Sequence, residues 1–182
     1  MGVALGPARR RRITDAVITK DPPSCLHGLP SRPGDRAEIA RQYPCAQTTQ
    51  ADRVTAQAEI LALVSGWPGV AVAPVRQTIH GANALLLDDR LAEGQGEAFI
   101  MGMEFAHVRA EGSVHTALAP EWAEPLLGKG WGQIHPLALY GLIPPQSLVF
   151  YAPRDEHELY VLECILTAAY SYACGRYVEC DP

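Results

Sequence analysis

The segment that most restricts how this chain folds runs from Pro153 to Gly175, "PRDEHELYVLECILTAAYSYACG". Asp155 followed three residues later by Glu158 is a capping-box spacing, with Pro153 just before it, and Gly175 is a fitting stop. Between these signals Leu159, Leu162, Leu166, Ala169 and Ala173 recur on one stripe, with Ile165 beside them. The spacing predicts a helix of about five turns that must lay an apolar face on something broad and apolar. Strand-like segments supply that surface: "VAVAPV" (70–75), "NALLLD" (83–88), "EAFIMGMEFAHV" (97–108), "SVHTALA" (113–119) and "SLVFYAP" (147–153), each bounded by turn-forming residues. A first helix is expected in "QADRVTAQAEILALVSG", on the stripe Val54, Ala58, Leu61 and Val64, ending at Gly66. A short one is expected in "PEWAEPLL" (120–127), opened by Pro120. Strands and helices in this order predict an α+β fold, a two-layer sandwich of antiparallel sheet and helices.

The front of the chain reads differently. Residues 1–48 hold proline and scattered arginine without sustained periodicity, and are expected to form a mostly disordered basic extension; residues 49–182 form the domain. Residues 1–50 carry eight Arg or Lys against four Asp or Glu, whereas residues 51–182 carry seven against sixteen. So acidic a body lacks the clustered cations that phosphate contacts need, which argues against specific nucleic-acid binding. In "MGVALGPARRRR" the charge follows the apolar residues, the reverse of a secretory signal. No run of 18 apolar residues predicts a membrane span. Five cysteines without a C-x-x-C pair signal neither a disulfide framework nor a zinc knuckle. Together these features suggest a reducing, cytoplasmic setting.

Candidate chemistry concentrates in two places. Along the expected sheet stand His80, Glu104, His107, His115 and His135. Three histidines and a carboxylate would suit iron, manganese or zinc, but the spacing is no known metal signature. On a regular strand Glu104 and His107 would face opposite sides unless a bulge intervened. A polar rim on the wet face of a sheet is the plainer reading. The second place is "GKGWGQIHPL" (128–137), where Gly132 allows close backbone approach, Trp131 offers a flat apolar wall and Pro136 restrains His135. An imidazole so held suits a general base. The alternative is that Trp131 plugs the core and His135 bonds the backbone. Arg154, after "FYAP", could clamp an anion or simply pair with neighbouring carboxylates.

The runs "VHTALAPEWAEPLLGKGWGQIHPLA" and "LVFYAPRDEHELYVLECILTAAYSYA" resemble the luciferase-like domain of fungal luciferases, over roughly residues 104–174. "E-x-x-H" at Glu104 and His107 agrees as well. This resemblance implies an oxidoreductase: a cofactor-independent oxygenase that joins an enolisable aromatic or hydroxypyrone-type small molecule to O2. It implies His135, Arg154, Glu104 and His107 as catalytic residues. Trp131, His115, Gly132, Pro136 and Tyr151 would bind substrate. The sequence departs from that pattern in its basic start, in "VRAEGS" after His107 and in Ile134. Two other readings remain open: a non-catalytic module that binds a ligand or partner, and a metal-dependent enzyme built on the histidines.

Overall fold

The fold is taken from a computed structural model, which describes residues 11–75 and 79–180. The start of the arginine run, Arg9 and Arg10, lies outside the described residues. The elements run β1 (Arg11–Val17), α1 (Ala56–Val64), β2 (Val70–Pro74), β3 (Asn83–Leu87), β4 (Glu104–Val108), β5 (Val114–Ala117), α2 (Pro120–Gly128), β6 (Gly132–Ile134), α3 (Pro136–Leu139), β7 (Ser147–Phe150), α4 (Glu156–Cys174) and β8 (Arg176–Cys180). Strands β2-β3-β4-β5-β7-β6 form one antiparallel sheet in that order, and β1 pairs with β8 in a second, two-stranded one. The fold is α+β, with the expected long C-terminal helix. Among the described residues no helix is long and apolar enough to cross a membrane.

Helix α4 forms where its end signals put it. The Asp155 carboxylate accepts from Glu158 N at 2.8 Å, and Gly175 takes the left-handed conformation (φ 67°) that L side chains avoid. Only half of a capping box forms, because the Glu158 carboxylate accepts from Arg154 N rather than from the cap residue. The apolar stripe packs with Phe105, Val108, Val114 and Phe150 in the main core. The opposite stripe, Glu163, Thr167 and Ser171, is buried as well. Here β1 and β8 close over the helix: Arg11 Nη2 donates to Glu163 Oε1 at 2.6 Å, and Val178 N donates to Ser171 Oγ at 3.1 Å. The periodicity shows one apolar face because the second face is buried through polar partners, which hydropathy cannot register.

Two expectations need correction. Helix α1 buries Ala56, Ile60 and Val64, while Val54 is 95% exposed and precedes the helix. Both stripes were available in the sequence, and the one carrying the large Ile60 is the one covered. The second concerns residues 11–48, expected as mostly disordered. They provide β1, a 3-10 turn at Ser24–Leu26, and buried Leu26, Leu29, Arg32, Ala37, Ile39, Cys45 and Gln47. Residues 29–47 lie as a strap across the face of the large sheet away from α4. There Ala37, Ile39 and Cys45 pack on Val149 and Tyr151. An irregular strap held by scattered carbonyl and carboxylate contacts leaves no period to find.

Ile60→Ala is expected to cost about 2–5 kcal/mol in unfolding free energy, whereas Val54→Ala should stay within about 0.5 kcal/mol. Urea titration of the two variants checks this; equal losses would mean that the helix uses the other stripe.

Candidate functional site

The histidines meet because strand β4 carries one extra residue. Leu85 pairs with Ala106 but Leu86 pairs with Glu104, so Phe105 is the additional residue of a bulge. Its carbonyl accepts from Thr116 Oγ1 at 2.7 Å. Phe105 and Ala106 consequently both turn into the core beneath α4. Glu104, three residues from His107, is brought to the same face. There Glu104 Oε1 lies 2.7 Å from His107 Nδ1, both side chains being about 95% buried.

Register supplies the rest. His107 is cross-strand partner to His115, and their rings stand 4.7 Å apart. His115 meets His135 edge-on at 4.8 Å. His135 ends β6 and caps the short helix α3, its Nδ1 accepting from Leu137 N at 3.1 Å. The three rings, with Ile79, Ile100, Thr116, Leu137 and the strap residues Tyr43 and Pro44, line a cavity of about 70 Å³. His80 is exposed and lies apart from them. Among the described residues no three His, Cys, Asp or Glu side chains are placed to hold one metal ion.

Hydrogen bonding assigns the tautomers. A carboxylate at Nδ1 makes that nitrogen of His107 the donor, so the Nε2 lone pair is free; this Nε2 is buried and has no protein partner. His135 is the reverse: its Nδ1 accepts from the backbone, so its neutral form carries hydrogen on Nε2. Burial, then the neighbouring His107 and Arg109, hold the His135 pKa down at about 4. His115 is pushed well below the ordinary histidine value, first by burial and then by His107, His135 and Arg109. Both rings are neutral at pH 7. With His107 in its neutral form, the cavity presents one oriented acceptor, His107 Nε2, and one oriented donor, His135 Nε2–H.

Other residues of the expected site lie elsewhere. Trp131 belongs to the core and donates from Nε1 to Pro30 O at 2.8 Å. Lys129 Nζ donates to Leu29 O at 2.6 Å. Arg154 donates to Pro33 O at 2.8 Å and to the buried Glu158 carboxylate, which also receives Arg32 Nη2 at 3.1 Å. Tyr151 lies under the strap with the Arg32 guanidinium 5.2 Å over its ring. Pro136 opens α3. Gly132 is required by strand packing, since a Cβ there would come 2.4 Å from Val149 O. The "KGW" and "APR" residues therefore form a clasp on the strap, and neither Trp131 nor Arg154 lines the histidine cavity. Sequence reasoning missed Tyr43 and Pro44, which no pattern marks, and Arg109. The signal for Arg109 was available: it stands two residues beyond His107, at the strand period.

Two outcomes are expected. Because folding depresses the His115 and His135 pKa values, the unfolded chain takes up protons first as pH falls. Stability is then full above about pH 6.5 and declines toward pH 4, each ring contributing at most about 1.4 kcal/mol per pH unit. In His135→Asn, which keeps an acceptor for Leu137 N, the slope between pH 6.5 and 5 should be shallower; an unchanged slope would rule His135 out. Trp131→Phe leaves Pro30 O without its donor and should cost about 1–3 kcal/mol. In that variant, limited proteolysis should cut residues 29–47 before the domain core.

Comparison with known proteins finds similarity over the segment that holds these residues. Residues 102–169 match the family model described as "Luciferase domain". The luciferases of Armillaria gallica and Armillaria mellea are 44% identical to this chain over 73 residues, 38% of this chain and 27% of theirs. That of Neonothopanus nambi is 44% identical over 84 residues, 42% of this chain and 32% of its own length. The chain thus spans about a third or less of the curated relatives it matches. No solved structure matches. The matched segment contains β4, the bulge, the three clustered histidines, the clasp residues and most of α4. Residues 102–169 of this chain are thus similar to the luciferase domain, and to the matching part of the fungal luciferases.

Proposed function

We propose that this luciferase-like protein is an oxygenase that deprotonates an enolisable small molecule, aromatic or hydroxypyrone-like, and combines the resulting anion with O2. The observation that carries this reading is the Glu104–His107 pair, with Nδ1 bound to carboxylate and Nε2 left bare at a small cavity. A carboxylate that fixes the tautomer and steadies the developing imidazolium is the arrangement that general-base catalysis needs. His107 Nε2 takes the enol proton. The enolate, held in surroundings poor in water, passes one electron to O2, and the two radicals combine into a C–O bond, leaving a peroxide on the substrate carbon. His135 Nε2–H donates a hydrogen bond to the oxygen that gains charge, as a preorganised dipole.

A space of about 70 Å³ accommodates O2 and the reacting edge of a ring. Small-molecule sites usually measure about 300–1,000 Å³, so a whole ring-containing substrate requires Tyr43 and Pro44 to move aside. On this reading the base is His107 rather than His135, and Trp131 and Arg154 position the strap. The same residues could hold a ligand without turnover, and the assay below separates the two readings.

Hydroxypyrone-type compounds mixed with the protein should raise oxygen uptake above buffer. His107→Ala should lower the rate about 10²–10⁴-fold, and Glu104→Gln should lower it less while keeping substrate binding. Binding without uptake across a panel of enolisable compounds would leave a ligand-binding module.

A further inference from the structure

The turn joining β4 to β5 carries a buried cation that the mechanism above does not use. Arg109 is 4% exposed, and it continues the ladder beyond β4, its N donating to Ser113 O at 2.8 Å. Standing two residues after His107, it shares the face of His107 and His115. The strap covers this face: Cys45 is fully buried there, and Gln47 N donates to Glu111 Oε1 at 3.1 Å. Glu111 is a poor partner for the guanidinium. Its Oε1 lies 4.0 Å from Arg109 Nε and already accepts from Gln47 N and from Ser113 Oγ at 2.8 Å. Arg109 Nη1 has no hydrogen-bond acceptor, and neither has the equally buried His115 Nε2 nearby. A buried guanidinium nitrogen lacking an acceptor is costly, as is an orphaned imidazole nitrogen. Two such groups lie on one face under one strap, His115 on the cavity wall and Arg109 on the same face outside the lining, and together they mark a place for negative charge.

We infer that Arg109 and His115 form an oxyanion-binding site, so that the ligand of this cavity is a compact organic acid bound as its carboxylate or enolate. One oxygen accepts from Arg109 Nη1 and the other from His115 in its Nε2–H tautomer. A charge-assisted contact of this kind is stronger than a neutral one and selects the ionised ligand. The inference rests on taking the histidine cavity as the ligand site, but not on oxygen chemistry. It moves the anion clamp from Arg154, whose guanidinium is engaged with Glu158 and Pro33, to Arg109.

Formate is the probe, with formamide as its uncharged counterpart, and the imidazole 15N–1H signals of the full chain report binding. Formate should shift the His115 signal saturably at millimolar concentration and raise the melting temperature, while formamide does neither. Arg109→Gln should weaken formate binding by at least about tenfold, the loss of one charge-assisted bond, with His80→Ala as the unaffected control. Three results would overturn the inference: no saturable shift, equal responses to formate and formamide, or undiminished affinity in folded Arg109→Gln. Should that variant not fold, Arg109→Lys takes its place, with weaker formate binding expected from the lost fork, and the formate–formamide contrast on the unaltered protein still decides. Oxygen uptake is not measured here, so a failed oxygenase reading and a failed anion site leave different records.

Discussion

The Glu158 carboxylate is the point on which the rest of the structure turns. It sits in the first turn of α4, is 2% exposed, and receives the Arg154 backbone N–H and the guanidinium groups of Arg154 and Arg32. One buried charge thereby joins the long helix, the loop that follows β7 and the strap. A buried carboxylate with its lone pairs taken by two cations is satisfied; with one partner removed it is an uncompensated charge, and the loss runs to several kcal/mol. Arg32 loses proton affinity mainly through burial and regains it mainly through Glu158, the balance expected of a pair that is stable only together. Without this contact the strap would rest on Lys129, Trp131 and Gln47, and the histidine face would open to water.

Exclusion of water gives the histidines their properties. His115 and His135 stay neutral first because burial disfavours an imidazolium, and then because His107 and Arg109 oppose positive charge on both, with His135 adding to this for His115. The same enclosure makes a bare acceptor at His107 Nε2 and a donor at His135 Nε2 stronger than they would be in water. Clasp and histidine cluster are thus separate parts of one fold: the residues around Trp131 and Arg154 hold the strap, and the residues around the bulge hold the proposed site.

The strap also explains how a sheet with two covered faces arises from a short chain. Most connections here are too short to form a second helical layer, so one face takes α1, α2 and α4 and the other takes irregular backbone. Irregular backbone must satisfy its own polar groups. It does so through side chains: Gln47 alone accepts from Ala152 N at 2.8 Å and donates to Thr49 O at 2.8 Å and Gln50 O at 3.1 Å. The link between Cys25 Sγ and Cys164 O, at 3.6 Å, adds a contact near the 3-10 turn.

What the sequence determined by itself was whatever depends on local periodicity and end signals. Helix α4 from Asp155 to Gly175, α2 behind Pro120, and the strands around residues 70, 83, 114 and 147 follow from spacing alone, and so does the α+β class; of the strand expected over 97–108 only Glu104–Val108 forms. The glutamate and histidines of the site were legible as residue types. Tertiary structure decided three things. It chose the stripe Ala56–Ile60–Val64 over Val54–Ala58–Leu61, because helix orientation depends on what packs against it. It placed one extra residue at Phe105, and a period-2 pattern cannot report such a slip before its partner strand is known. It gave Trp131 and Arg154 to the strap, because which carbonyl or carboxylate a long side chain reaches is set by segments a hundred residues away.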